Sequence, residues 1–129
     1  MVVRIAEKSV PVESSAIAEA VEAGETVVLD FSASWCGPCQ KLYPCLQALA
    51  QKYPSVHFYK LDVDDEDDEA FMDTYKVSSL PTLILLKKGT PAKMQVGFNA
   101  EALVDSFFEL LSAQVDSKTL REDIQGCFA

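Results

Sequence analysis

Two spacings of apolar residues alternate along this chain. Three segments place apolar residues three or four positions apart, which predicts α-helices with one buried face. Their apolar positions are Ile17, Ala20 and Val21; then Leu42, Leu46, Leu49, Ala50 and Tyr53; and finally Leu103, Phe107, Leu110 and Leu111. Pro44 lies inside the second segment, where its missing N–H predicts a kink. Asn99 precedes the third segment and is a typical N-cap residue.

Strand patterns fill the space between these helical segments. Continuous apolar runs are typical of strands buried on both faces, and alternating runs are typical of strands with one buried face. The continuous runs are residues 27–32 and 82–86, and the alternating runs are residues 56–63 and 94–98. Gly89 marks a hairpin turn, and a short strand is expected near residues 3–5. The order of elements predicts an α/β fold, with a central mixed β-sheet of four to five strands and helices on both faces.

Length and composition indicate one compact domain. The chain has 129 residues, of which 49% are hydrophobic, enough for a core without disulfide staples. Core periodicity ends near residue 112, so we expect a domain over residues 1–112 and a C-terminal extension over 113–129, as a tail or an added helix. The net charge of −9 argues against a nucleic-acid partner.

The expected compartment is the cytoplasm. No apolar stretch is long enough to cross a bilayer, so no membrane association is expected. The first residues have charges between their apolar positions and are not typical of a secretory signal. The four cysteines are then more consistent with reactive thiols than with a disulfide framework.

The segment Trp35-Cys36-Gly37-Pro38-Cys39 directly follows the first buried strand. Cysteines three positions apart can form a small disulfide ring or stand as two adjacent thiols, which is the form of a reversible two-electron switch. A zinc half-site and an inert structural pair are the alternatives. The zinc site is disfavoured because no second C-x-x-C or H-x-x-x-H supplies further ligands, and no metal is expected.

The start of a helix is a suitable place for this chemistry. Unpaired N–H groups and a partial positive charge at the helix N-terminus favour a thiolate at Cys36, which we assign as the nucleophile. Cys39, one turn deeper, would resolve the mixed disulfide. Pro38 suits the first helical turn, and Gly37 leaves the neighbouring sulfur open to a partner.

With these residues the chain resembles thioredoxins from about residue 10 to residue 111. Four separated features support the resemblance: Trp35-Cys36-Gly37-Pro38-Cys39, Asp30 six residues before Cys36, Leu80-Pro81-Thr82, and Val96-Gly97-Phe98. The second matches the buried carboxylate of the family, the third its cis-proline loop, and the fourth a segment bordering the substrate groove. Lys60 falls where the family has a lysine near that carboxylate.

A direct interpretation of Asp30 agrees with the resemblance. A carboxylate in an apolar strand is costly unless it is paired or neutralised. Burial should raise its pKa and a nearby Lys60 should lower it. Asp30 could then accept the proton of Cys39 during the resolving attack. A structural aspartate that caps a turn is the alternative.

The resemblance implies a thiol–disulfide oxidoreductase that reduces protein disulfides. Its expected partners are disulfide-containing client proteins and a thioredoxin reductase that uses NADPH; the chain itself binds no cofactor and has no G-x-G-x-x-G motif. The expected substrate-binding residues are Trp35, Gly37, Pro38, Leu80, Pro81, Gly97 and Phe98. The alternative is a binding or scaffold subunit of the same fold, in which the cysteines are incidental.

Two residues depart from the family pattern. Ser32 stands where many thioredoxins have a tryptophan, and Gln40 stands where many have a lysine. Both leave the disulfide mechanism intact and leave its redox potential open.

Other conspicuous residues are expected to be structural. The acidic run over residues 62–69 is expected to face water at a helix start, and His57 to have no catalytic role. Cys45 is expected to be buried and Cys127 to be accessible. The protein is expected to be a monomer, and oxidation is expected to link two copies through Cys127 or to add a cap such as glutathione.

Overall fold

The structure is a computed structural model that describes residues 2–5, 9–65, 68–97, 99–111 and 115–127. Its strands are β1 (Val2–Arg4), β2 (Val10–Val12), β3 (Thr26–Ser32), β4 (Val56–Asp62), β5 (Thr82–Lys87) and β6 (Thr90–Val96). Its helices are α1 (Ser15–Glu22), α2 (Gly37–Lys52), α3 (Glu69–Tyr75), α4 (Ala100–Leu111) and α5 (Ser117–Gly126). No described helix is long and apolar enough to span a membrane.

The strands form one mixed sheet in the order β2-β1-β4-β3-β5-β6. β3 and β4 are parallel and the other neighbours are antiparallel. The sheet has six strands rather than four to five, because β1 and β2 form an additional antiparallel ladder that pairs Val2 with Val12. A three-residue strand with Pro11 at its centre has too few positions to show an alternating pattern, and proline is tolerated there because β2 is an edge strand.

Helices cover both faces of the sheet, as the sequence predicts. On one face, α2, α4 and α5 bury a cluster that contains Val28 of β3 and Phe58 of β4, and Phe58 stacks on Phe107 at 5.9 Å between ring centres. On the other face, α1 and α3 cover a cluster that contains Leu29 and Phe31 of β3. β3 is buried on both sides, which explains its continuous apolar run.

The predicted N-cap of α4 is confirmed, since the side-chain oxygen of Asn99 accepts the N–H of Ala102 at 3.0 Å. α2 continues through Pro44. The extension beyond residue 112 includes a helix, α5, whose N-cap Asp116 accepts the N–H of Thr119 at 2.7 Å. Leu120 and Ile124 of this helix are fully buried in the cluster beneath α2 and α4.

Candidate functional site

The cysteine pair lies where β3 ends and α2 begins. Cys36 and Cys39 form a disulfide, with 5.3 Å between their Cα atoms. Cys36 is the N-cap of α2, and its sulfur accepts the N–H of Cys39 at 3.3 Å. Pro38 lies in the first turn, where its missing N–H leaves no gap in the helix. A backbone N–H at a helix N-terminus is therefore directed at the Cys36 sulfur, the arrangement that stabilises a thiolate there.

Both sulfurs are shielded in the disulfide form. Cys36 is 6% exposed and Cys39 is 1% exposed, so Cys36 is the outer cysteine of the pair. They pack with Ala33 and against Val63 and Leu80. An incoming thiol or disulfide thus meets Cys36 first.

A shallow groove of about 300 Å³ opens beside Cys36. It is lined by Trp35, Val63, Met72, Ser78, Ser79 and Leu80. Trp35 is 68% exposed at its rim, and its indole N–H donates to Asp64 at 2.8 Å. The acidic run therefore supports this rim, a role that its charge pattern did not indicate.

The loop before β5 closes the opposite side of the groove. The Leu80–Pro81 peptide bond is cis, as predicted. The carbonyl of Pro81 accepts the N–H of Gly97 at 2.8 Å, which ties this loop to the end of β6. Gly97 has a φ of 85°, a conformation that glycine adopts without strain. Phe98, the remaining predicted substrate-binding residue, lies outside the described residues.

Asp30 is a buried carboxyl group in the central strand, on the side of the sheet that α2 covers. Side chains alternate along a strand, so Asp30 faces the same side as Val28, which packs under α2. It is 1% exposed, and neither side-chain oxygen has a hydrogen-bond partner in the part of the chain that the structure describes. Burial raises the pKa of Asp30 to about 7, and the charge of Lys60 partly opposes this rise. A group that titrates near neutral pH can accept and return a proton.

Lys60 lies beside Asp30, as the resemblance implies. The two residues are paired in the parallel register of β3 and β4. The Lys60 ammonium also lies over the ring of Tyr43 of α2, 4.6 Å from its centre. The cation is thus held under α2, between the sheet and the helix of the cysteines.

Ser32 and Gln40, the two residues that depart from the family pattern, both have surroundings that the structure describes. Ser32 is buried, with 2% exposure. The side-chain amide of Gln40 donates to the carbonyl of Ala33 at 3.0 Å, which links the first turn of α2 to the loop before Cys36. This link depends on the folded loop and has no signal in the sequence.

Part of the acidic run is buried, and His57 lies among charged side chains. Asp68 is 1% exposed and accepts the N–H of Asp62 at 3.1 Å, so the expectation that the whole run faces water is wrong at this residue. His57 contacts Arg4 at 2.7 Å and Glu25 at 3.2 Å, in the first half of β4. Among the described residues no group of three or more histidine, cysteine, aspartate or glutamate side chains could hold a metal ion.

The remaining cysteines lie away from the pair. Cys45 is 1% exposed, so its predicted burial is confirmed. Cys127 is only partly exposed, and its thiol donates to the carbonyl of Asp123 at 3.3 Å. The dimer through Cys127 stays a prediction.

A family model described as "Thioredoxin" matches residues 8–109, which is most of the chain. The chain belongs to the thioredoxin family. The disulfide at the start of α2 is the cysteine pair of a thiol–disulfide oxidoreductase. Thioredoxins have no bound cofactor and are reduced by a reductase.

Individual relatives agree with this assignment. A "Thioredoxin H-type" from Fagopyrum esculentum is 42% identical over 86 residues, 67% of this chain and 72% of the relative. "Thioredoxin-1" from Saccharomyces cerevisiae is 42% identical over 84 residues, 65% of this chain and 80% of the relative. The oxidised crystal structure of mitochondrial thioredoxin 3 from Saccharomyces cerevisiae has a TM-score of 0.66 at 33% identity, covering 74% of this chain and 88% of that one.

Proposed function

We propose that this thioredoxin-family protein reduces disulfide bonds of other proteins, with Cys36 as the nucleophile and Cys39 as the resolving thiol. The observation that supports it best is the Cys36–Cys39 disulfide at the N-terminus of α2, with its outer sulfur beside an open groove. The Cys36 thiolate attacks one sulfur of the client disulfide and releases the other as a thiolate. Cys39 then attacks Cys36, which releases the second client thiol and leaves two electrons with the client.

Asp30 and Lys60 are proposed to manage the proton of Cys39. Asp30 faces the helix that contains Cys39, and its pKa of about 7 suits a proton acceptor at neutral pH. Lys60 tunes that pKa downward. In this scheme Asp30 takes the Cys39 proton during the resolving attack and returns it when the pair is reduced again.

The substrate is proposed to bind as an extended segment along the groove. In this proposal Trp35, Gly37 and Pro38 contact the client on the cysteine side, and Leu80, Pro81 and Gly97 contact it on the opposite side. Phe98, which lies outside the described residues, is proposed as a further substrate-binding residue. The backbone of an extended client can pair with exposed backbone beside Pro81, a form of strand addition. Apolar client side chains would contact Trp35 and Leu80.

The proposed partner and compartment follow from the need to reduce the Cys36–Cys39 disulfide again after each client is reduced. A thioredoxin reductase that draws electrons from NADPH would reduce the pair again, and a reducing compartment such as the cytoplasm would keep it reduced. We propose a monomer that binds disulfide-containing proteins and neither nucleic acid nor membranes, with a catalytic domain over residues 1–112 and an extension over 113–129.

The test is insulin-disulfide reduction, followed by turbidity, with NADPH and a thioredoxin reductase. Cys36→Ser should abolish reduction. Cys39→Ser should trap a mixed disulfide with insulin, since the resolving thiol is missing. Cys45→Ala, on the same helix but away from the groove, is the matched control and should remain active. A folded wild-type protein with no reductase-dependent activity would instead favour the binding-subunit alternative.

A further inference from the structure

The C-terminal helix is anchored to the helix that bears the active cysteines. Leu120 and Ile124 of α5 are fully buried in the cluster that also contains Cys45 of α2. Asp123 lies 2.7 Å from the Lys52 ammonium and accepts the hydroxyl proton of Tyr53 at 3.0 Å. α5 is therefore fixed beside the C-terminal half of α2.

This packing brings the two remaining cysteines together. One turn beyond Asp123, Cys127 packs against the cluster that contains Cys45, and the Cys127 side chain lies close enough to help raise the pKa of the Cys45 thiol. Cys45 is buried, whereas Cys127 is partly exposed. A disulfide between them requires their Cα atoms to lie within about 7 Å of each other, which facing positions on two packed helices allow.

We propose that Cys45 and Cys127 are a second redox site, in which a hydroperoxide joins them in an intramolecular disulfide that locks α5 onto α2. This goes beyond the proposed function, because neither cysteine takes part in client reduction. It is an alternative to the predicted dimer through Cys127, since Cys127 packs against a cluster that contains a thiol of its own chain.

The chemistry is balanced with hydrogen peroxide as the oxidant. The Cys127 thiolate attacks one peroxide oxygen; the O–O bond breaks, and the sulfur becomes a sulfenic acid while the leaving hydroxide takes up a proton to become water. The Cys45 sulfur then attacks the sulfenic sulfur. The S–O bond breaks, and the departing hydroxide leaves with the Cys45 proton as a second water. Two thiols and one peroxide thus give one disulfide and two waters.

The different surroundings of the two thiols explain why Cys127 reacts with peroxide first and Cys45 attacks second. Burial raises the pKa of the Cys45 thiol well above its usual range, so Cys45 stays protonated and does not react with peroxide first. Cys127 has the solvent access that the oxidant needs. Once formed, the bond would close a loop over most of the chain, the kind of cross-link that most restricts the unfolded state.

The test isolates this pair in a Cys36→Ser/Cys39→Ser background. The protein is reduced, freed of reductant, treated with hydrogen peroxide, and analysed by thiol counting, non-reducing electrophoresis and peptide mass spectrometry. We expect two thiols lost per chain, no dimer, and tryptic peptides 42–52 and 122–129 joined by a disulfide. The melting temperature should rise by several degrees on oxidation and return to its starting value with dithiothreitol.

Single variants serve as controls. Cys127→Ser should keep its Cys45 thiol after peroxide and show no rise in melting temperature; because Cys127 is partly exposed, this variant should fold. Introduced into the wild-type chain, the same change should leave insulin reduction unchanged.

Three results would overturn the proposal. One is a disulfide between two Cys127 residues of different chains. Another is sulfinic acid at Cys127 with Cys45 still free. The third is retention of both thiols at a peroxide dose that fully oxidises Cys36 and Cys39 in the wild type.

Discussion

Asp30 places a titratable carboxyl group inside the central strand, and the free-energy cost of burying this group depends on pH. Burial disfavours the charged carboxylate and raises its pKa from the usual 3.8 to about 7 in the folded protein. The folded state therefore holds the proton more tightly than the unfolded state does. The free energy of unfolding should fall as the pH rises from about 4 to about 7 and level off above that, by about 4 kcal/mol in total.

Replacing Asp30 with asparagine should remove this fall. We expect Asp30→Asn to be more stable than the wild type at pH 8, with a difference that shrinks toward pH 5, where the wild-type carboxyl group is protonated. Urea unfolding of the oxidised protein between pH 4.5 and pH 8.5 measures the effect, and Asp73→Asn at an exposed position is the control. Parallel stability curves for Asp30→Asn and the wild type would contradict the assignment.

The hydrogen bond from Trp35 to Asp64 predicts that a single side chain affects both the mobility of Trp35 and client binding. Trp35 is the chain's single tryptophan, so its fluorescence reports on the groove alone. Asp64→Ala should lower the fluorescence anisotropy of Trp35 and raise the KM for insulin about two- to fivefold, the effect of losing one exposed hydrogen bond. The value of kcat should not change.

Asp64→Asn is the matched control, since its side-chain oxygen can still accept the indole N–H. It should restore most of the anisotropy. If Asp64→Ala leaves both anisotropy and KM unchanged, the hydrogen bond does not hold Trp35 at the rim.

Among the elements, the helices and strands with repeated apolar positions could be predicted from the sequence. β3 and β5 have continuous apolar runs because both of their faces are buried. β2 could not be predicted, because its three residues are too few to show a period. For α5 the sequence allows either a tail or a helix, because only Leu120 and Ile124 mark its buried face.

The burial of α5 predicts that it contributes to stability like any core helix. Leu120→Ala should lower the free energy of unfolding by about 2–5 kcal/mol, since it deletes a fully buried side chain. Lys118→Ala, exposed on the same helix, should change it by about 0.5 kcal/mol or less. Urea unfolding compares the two variants, and equal effects would mean that α5 is not part of the core.

For the molecule as a whole, the cysteine pair and the buried Asp30 could be predicted from the local sequence, and the cis Leu80–Pro81 bond from the resemblance to thioredoxins. The hydrogen bonds of Trp35 with Asp64 and of Gln40 with Ala33, and the packing of Cys127 against the cluster that contains Cys45, could not be predicted. Each joins segments whose distance is set only by the packed sheet and helices. No local pattern of residues encodes such a pairing.

The net charge of −9 predicts the response of the whole molecule to salt. Like charges repel one another in the compact state, and added salt screens that repulsion. The melting temperature at pH 8 should rise by a few degrees between about 0.05 and 0.5 M potassium chloride. A decrease would mean that attractive pairs such as Lys52 with Asp123 outweigh the repulsion.

The central position of β3 sets the pattern of amide hydrogen exchange. β3 has paired strands on both sides and buried clusters on both faces, so we expect its N–H groups to exchange only when the whole molecule unfolds. The edge strands β2 and β6 can open locally and exchange sooner. Because the Cys36–Cys39 disulfide directly follows β3, it is attached to the slowest-exchanging part of the protein. The groove can therefore adjust to different client segments while the reactive sulfurs keep a fixed position.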